Sequence, residues 1–162
     1  MMSSTAIEQE LEDMVTNNIT ITIGSTEAKD ALIKIIKRIN KNPKVHIKID
    51  TGFGRYGYLY TDTEKIIKDI KELQKFVTIE GIFSHFSTSF YKESWTSLQY
   101  NRFTEIIKIL EENKINIPIR HISNSSAFIR FPQMNLNAVR IGSAFLGRVA
   151  VANKLGLKKI GY

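Results

Sequence analysis

Residues 45–57 read Val45-His46-Ile47-Lys48-Ile49-Asp50-Thr51-Gly52-Phe53-Gly54-Arg55-Tyr56-Gly57, and the first six decide the fold. Successive side chains of a strand point to opposite faces. Val45, Ile47 and Ile49 therefore share one face, and His46, Lys48 and Asp50 the other. A parallel sheet is normally covered on both faces, so three ionisable groups on one of them need a reason. Either this is an exposed edge strand, or it lines the top of a barrel interior and faces a charged ligand. The loop that follows carries three glycines and an arginine, and glycine lets backbone approach a ligand closely. Its spacing is not the G-x-G-x-x-G of a dinucleotide fold.

On either side of this stretch two periodicities alternate. Ile19–Ile23 is β-rich, and Ser25 then stands as an N-cap before helical spacing at Ala28, Ala31, Leu32, Ile35, Ile36 and Ile39. Thr61 and Glu64 suggest a capping box before a helix with Ile66, Ile67, Ile70 and Leu73 inward. Val77–His85 is the next strand, followed by a helix with Phe103, Ile106, Ile107 and Leu110 on one face. Ile117–Ile122, a short helix over Ser125–Arg130 and a fifth strand over Asn137–Ile141 complete the series. Strict alternation implies a parallel α/β sheet with crossover helices. A doubly wound sheet and a barrel both fit.

The strand ends favour the barrel. His85, Asn124-Ser125 and Arg140 with Gly142 fall at or just past the C-terminal ends of successive strands, where barrels of the (β/α)8 TIM type bind ligands. Singly, His85 could be a satisfied core histidine and Ser125 only a helix cap. Asn124-Ser125-Ser126 opening a helix, with Gly142-Ser143 after the last strand, offers N–H groups and hydroxyls suited to a phosphate.

Composition narrows the classes. The 162 residues carry a net charge of +7, yet the lysines are interleaved with acids, as in Lys65, Lys68 and Lys71 with Glu64, Asp69 and Glu72. That is a solvated helix face, and a nucleic-acid partner is not expected. Without cysteine there are no disulfides and no thiolate metal sites, and no metal site is expected. No apolar run approaches the roughly 18 residues of a membrane span, and Met1 to Thr16 is polar rather than signal-like. A cytoplasmic protein without a membrane partner is expected.

Four segments carry a family resemblance. Lys48-Ile-Asp-Thr-Gly-Phe-Gly-Arg55 resembles the K-x-D-T-G-M-G-R motif of alanine racemases, and Glu80-Gly-Ile-Phe-Ser-His-Phe86 resembles their E-G-x-x-T-H-F strand. His121-Ile-Ser-Asn-Ser125 resembles their phosphate-binding A-N-S turn, and Val139-Arg-Ile-Gly142 their V-R-x-G strand. The order and spacing are the family's over residues 15–162.

The resemblance implies a barrel that binds pyridoxal 5'-phosphate in an isomerase interconverting L- and D-alanine, or serine, for cell-wall precursor supply. A non-catalytic cofactor-binding, homeostasis or regulatory relative on the same barrel is the alternative. By resemblance, Arg140 would face the pyridine nitrogen and leave it unprotonated, because a guanidinium does not release its proton. His85 would orient Arg140. Ser125 with the backbone of Gly142 and Ser143 would hold the phosphate, and Asn124 would brace that turn. Arg55 would reach the phenolic oxygen or the substrate carboxylate. Lys48 matches a position that many members carry as a carbamate, which would hold Arg55. Phe53, Ser84, Ser123 and Ser143 depart from the usual methionine, threonine, alanine and bulkier aliphatic residue, which bears on the substrate more than on the cofactor.

The family's cofactor lysine, in a K-A-x-A-Y-G context, and its second base, a tyrosine of a β-rich domain in the partner subunit, have no counterpart among residues 1–162. The expectation is therefore one incomplete barrel domain with about five of eight strands, drawn from a homodimeric parent. It should be inactive alone and prone to self-association through open sheet edges.

Overall fold

The computed structural model describes residues 3–148, so residues 1–2 and 149–162 of the expected domain lie outside it. In chain order the elements are α1 (Glu8–Thr16), β1 (Ile21–Ile23), α2 (Thr26–Ile39), β2 (Lys44–Asp50), β3 (Tyr58–Leu59), α3 (Thr63–Leu73), β4 (Thr78–Phe83), α4 (Glu93–Glu112), β5 (Ile119–His121) and α5 (Ser125–Arg130). The sheet is parallel throughout, ordered β1-β2-β4-β5, with β3 branching from the end of β2. β2 is paired on both sides. The edge-strand explanation of its charged face therefore falls, and the barrel-interior one stands.

Register explains which residues reach which face. Ile23, Ile47 and Ile82 are cross-strand partners, all buried in the apolar core that the helices cover. Thr22, His46 and Gly81 align on the opposite face, as do Lys48, Phe83 and His121. An irregularity at Val45/His46 brings His46 opposite Gly81. α2 begins as its sequence dictates, with Ser25 Oγ accepting from Ala28 N at 3.2 Å. It ends at Asn40 in the left-handed region (φ 54°), whose N–H donates to Ile36 O.

Two elements are unexpected, and two expectations need correction. α1 stands outside the expected series. It is short and amphipathic, burying Leu11, Met14 and Val15. β3 is a second addition, only two residues long. The Thr61–Glu64 capping box does not form: the N-cap is Asp62, without a side-chain cap bond, and Thr61 Oγ1 donates to Asp62 Oδ1 instead. Residues 137–141 form no strand, only a bridge between His121 and Ala138 and a bond from Arg140 N to Ser123 O. Leu136 has φ 48°, and the Asn137 amide is taken up by Arg120 N and Pro118 O, which ends any ladder there. The other outer strand, β1, carries a similar single bridge from Ser4 to Thr22.

A buried ion cluster ties α2 and α3 to β3. Lys29, 4% exposed in its side chain, pairs with Asp69 (3.3 Å), Asp30 (3.0 Å) and Glu72. Asp69 also accepts from the hydroxyls of Thr26 and Tyr58. Burial alone would lower the ammonium pKa, but the three carboxylates outweigh it and hold it raised.

Candidate cofactor site at the strand ends

The loop 51–57 is shaped by one carboxylate. Asp50 Oδ1 accepts from the backbone N–H of Gly52 (2.9 Å) and Phe53 (2.8 Å), and Oδ2 from that of Gly54 (2.9 Å). Gly57 turns back at φ +124°, where a Cβ would lie 3.0 Å from Asp50 N and 3.1 Å from Lys48 O. Only glycine fits there. From behind, Arg102 Nη1 donates to Thr51 O and Gln99 Nε2 donates to His85 O. Sequence reasoning misses Gln99, although a signal exists: it lies in the apolar stripe of α4 with Phe103 and Ile106, where a polar residue is out of place.

This loop closes one side of a cavity of about 430 Å³ lined by Ser3, Arg55, Tyr56, Phe83, His85, Arg140, Ile141 and Gly142. Arg140 is its centre. Nη1–H donates to His121 Nδ1 (2.7 Å), and Nη2–H to Ser84 O (2.8 Å) and His85 Nδ1 (3.1 Å). The guanidinium also lies over the Phe83 ring, 5.2 Å from its centroid. Arg55 stacks on Phe53 (4.5 Å), and Phe53 meets His85 edge to face. Of the expected residues, Arg55, His85, Arg140 and Gly142 thus line one cavity.

The expected phosphate turn is held together by Ser125. Ser125 Oγ accepts from Gly142 N (2.9 Å) and Ala144 N (3.2 Å), whereas Ser143 offers its carbonyl to Leu146 and Arg148. Asn124 is the N-cap of α5 and braces the turn. Its Oδ1 accepts from Ala127 N and the Ser89 hydroxyl, and its Nδ2 donates to Phe86 O. Lys48 is 1% exposed and donates to Ile49 O between the Tyr56 and Phe83 rings.

Electrostatics single out this region. Burial, opposed by Asp50 and reinforced by Arg140 and Arg55, brings the Lys48 amine down to about 8. Burial brings the Arg140 guanidinium to about 10, still cationic at neutral pH. Burial and the charge of Arg140 push His121 down to about 3 and His85 to about 4. Among the described residues, the cavity lining holds two guanidiniums and no carboxylate. Its complement is an anion.

The histidines set a pH dependence. His85 and His121 hold fewer protons folded than unfolded, so their stabilisation is intact above the ordinary value of about 6.5 and is lost as pH falls toward their folded values. Urea unfolding is expected to weaken by on the order of 3 kcal/mol between pH 7.5 and 5, above the range where most carboxylates titrate. A midpoint flat over that interval would show both rings to be exposed.

Comparison with known proteins comes down on one family. Residues 1–149 match the family described as "Alanine racemase, N-terminal domain". An alanine racemase of Methanococcus maripaludis is 41% identical over 142 residues, 86% of this chain and 38% of that protein. One from Clostridium tetani is 40% identical over 140 residues, 85% and 36% of the two chains. The solved alanine racemase of Clostridium difficile 630 in complex with cycloserine superposes with a TM-score of 0.80 at 33% identity, covering 87% of this chain and 39% of its own. This chain thus spans less than two-fifths of the length of each of these three.

Proposed function

The chain belongs to the family of alanine racemase N-terminal domains, and we propose that it is the cofactor-binding segment of an enzyme that interconverts L- and D-alanine, or serine, with pyridoxal 5'-phosphate. The observation that carries this reading is the anion-complementary cavity centred on Arg140, with a hydroxyl-and-amide turn at one end. A planar ring bearing a phosphate fits it: aromatic walls from Phe83, Tyr56 and His85, two cations, and at one end the Ser125 hydroxyl, whose oxygen is held by the Gly142 and Ala144 N–H groups.

Arg140 would meet the ring nitrogen. Among the described residues its side-chain hydrogen bonds are all made by Nη1 and Nη2, so Nε–H is the donor offered to a ligand. Because a guanidinium keeps its proton, the ring nitrogen stays unprotonated. The bound cofactor supplies an electron sink for the substrate's α-carbon, and an unprotonated ring is a moderate one, which suits brief proton exchange. Ser125, Gly142, Ser143 and Asn124 form the phosphate turn, and Arg55 reaches toward the substrate end. Lys48 would carry a carbamate. Its amine, partly neutral near pH 8, would add to the carbon of carbon dioxide, forming an N–C bond as one C=O π pair moves onto oxygen and the amine proton passes to water, and the new carboxylate would hold Arg55.

The same reading makes the chain a single incomplete barrel domain of a cytoplasmic, homodimeric parent. Among the described residues no helix is long and apolar enough to cross a membrane. The outer strands, β1 and β5, would let isolated copies associate through open sheet edges.

Calorimetry comparing pyridoxal phosphate with pyridoxal tests the site. The phosphate form is expected to bind weakly, in the millimolar range, and better than pyridoxal. Arg140→Ala and Ser125→Ala should each weaken it about tenfold. Equal binding of both ligands, or indifference to both substitutions, would place the cofactor elsewhere.

A further inference from the structure

Arg140 is held from below as well as from the cavity. Its Nη1–H donates to His121 Nδ1, His121 Nε2 lies 2.9 Å from His46 Nδ1, and His46 Nε2 lies 3.4 Å from Glu80 Oε2. Glu80 Oε1 in turn accepts from Lys44 Nζ at 2.6 Å. The series crosses β5, β2 and β4 on the interior face and borders a second cavity, of about 330 Å³, below Arg140.

One chemical fact fixes its polarity. A guanidinium only donates, so His121 Nδ1 must accept and its proton sits on Nε2. That proton is then given to His46 Nδ1, which forces the His46 proton onto Nε2, directed at Glu80. We propose that His121, His46 and Glu80 are positioning residues, a one-way hydrogen-bond relay that aims the Arg140 guanidinium at the ring nitrogen of the cofactor. The aim, though not the relay, rests on the placement of the cofactor above.

Three features support it. Gly81 is the space the relay needs, since a Cβ there would come within 2.5 Å of His46 Cε1 and Nδ1. The His121 ring is stacked flat on Phe83, 4.9 Å and 7° apart, which fixes the direction of both its nitrogens. The relay also tolerates no extra proton: one added to either ring would set donor against donor at a link. The groups facing His121 are Arg140 and His46, and those facing His46 are Glu80, His121 and, farther off, Arg140. Burial, against the opposing pull of Glu80, keeps His46 below the ordinary histidine range, so both rings stay neutral.

The test is long-range ¹H–¹⁵N correlation on the 162-residue chain with labelled histidine and arginine. At pH 7, His46, His85 and His121 should all carry their proton on Nε2. His46→Gln can still accept from His121 and donate to Glu80, and should leave His121 and the Arg140 Nη signals unchanged. His46→Phe keeps the bulk but accepts nothing. It should release His121 into mixed tautomers and speed rotation of the Arg140 guanidinium about tenfold. Gly81→Ala, which displaces the ring without removing it, should resemble His46→Phe. A proton on His121 Nδ1, or unchanged signals in both His46→Phe and Gly81→Ala, overturns the relay. Correct tautomers with Arg140 signals indifferent to added pyridoxal phosphate overturn instead the cofactor's placement, and with it the aim assigned to the relay.

Discussion

A polypeptide of these 162 residues, given pyridoxal phosphate and L-alanine, is expected to form no measurable D-alanine. Racemisation removes a proton from one face of the α-carbon and returns one to the other, so it needs two groups able to change protonation near neutral pH. Among the described residues the cavity offers none. Arg140 at about 10 stays charged, and burial raises the Tyr56 phenol, which stays protonated. His85, at about 4, is a weak base whose Nδ1 is already committed to Arg140. Lys48 has a suitable amine but is sealed under Tyr56 and Phe83 and donates to its own strand. Each missing proton-transfer group costs about 10²–10⁴-fold, so two cost about 10⁴–10⁸. Chiral chromatography of a long incubation is sufficient. Turnover at ordinary enzyme rates would mean that a residue of this chain acts as a base and that the roles assigned to Arg140 and His85 are wrong.

Asp50→Ala is expected to be among the most destabilising single changes in the chain, at about 3–4 kcal/mol. The carboxylate is buried and accepts three consecutive backbone N–H groups, and alanine leaves all three without an acceptor in the same tight loop. A carboxamide would keep the oxygen that serves Gly52 and Phe53, so Asp50→Asn should recover about half of the loss. The damage should reach the site, because Phe53 carries both the His85 ring contact and the Arg55 stack. Urea unfolding measures the first effect and the His85 ring shifts the second. A variant within about 1 kcal/mol of the parent would show that the loop holds its shape without the carboxylate.

The fold is legible in the sequence wherever burial imposes a period. β2 declares itself through its alternation, and α2 and α3 through apolar stripes bounded by Ser25 and Asn40 or begun near Thr61. What escapes lacks a period. β3 is a two-residue ladder, and residues 137–141 look strand-like locally, yet Leu136 and Asn137 turn the backbone away before pairing can extend. At the site, His85, Arg140, Ser125 and Asn124 are readable because chemistry gathers at strand ends and because four motifs carry the resemblance. The parts played by His46 and His121 are not. They lie 75 residues apart, and their contact depends on the register irregularity at Val45/His46 and on the missing Cβ of Gly81, neither of which leaves a mark on local pattern. That the Gly142 and Ala144 N–H groups meet Ser125 likewise follows from backbone geometry alone.

The order β1-β2-β4-β5 also bears on how the molecule assembles as it is synthesised. Each main pairing joins a strand to one laid down shortly before it, so the sheet can grow unit by unit behind the ribosome, without waiting for a distant partner. His46, His85 and His121 emerge in that order, and Arg140 follows all three. Every acceptor of the guanidinium, the rings of His85 and His121 and the carbonyls of Ser84, His121 and Ile122, thus precedes it in the chain, and on that order of synthesis the cost of stripping its water would fall on one late event.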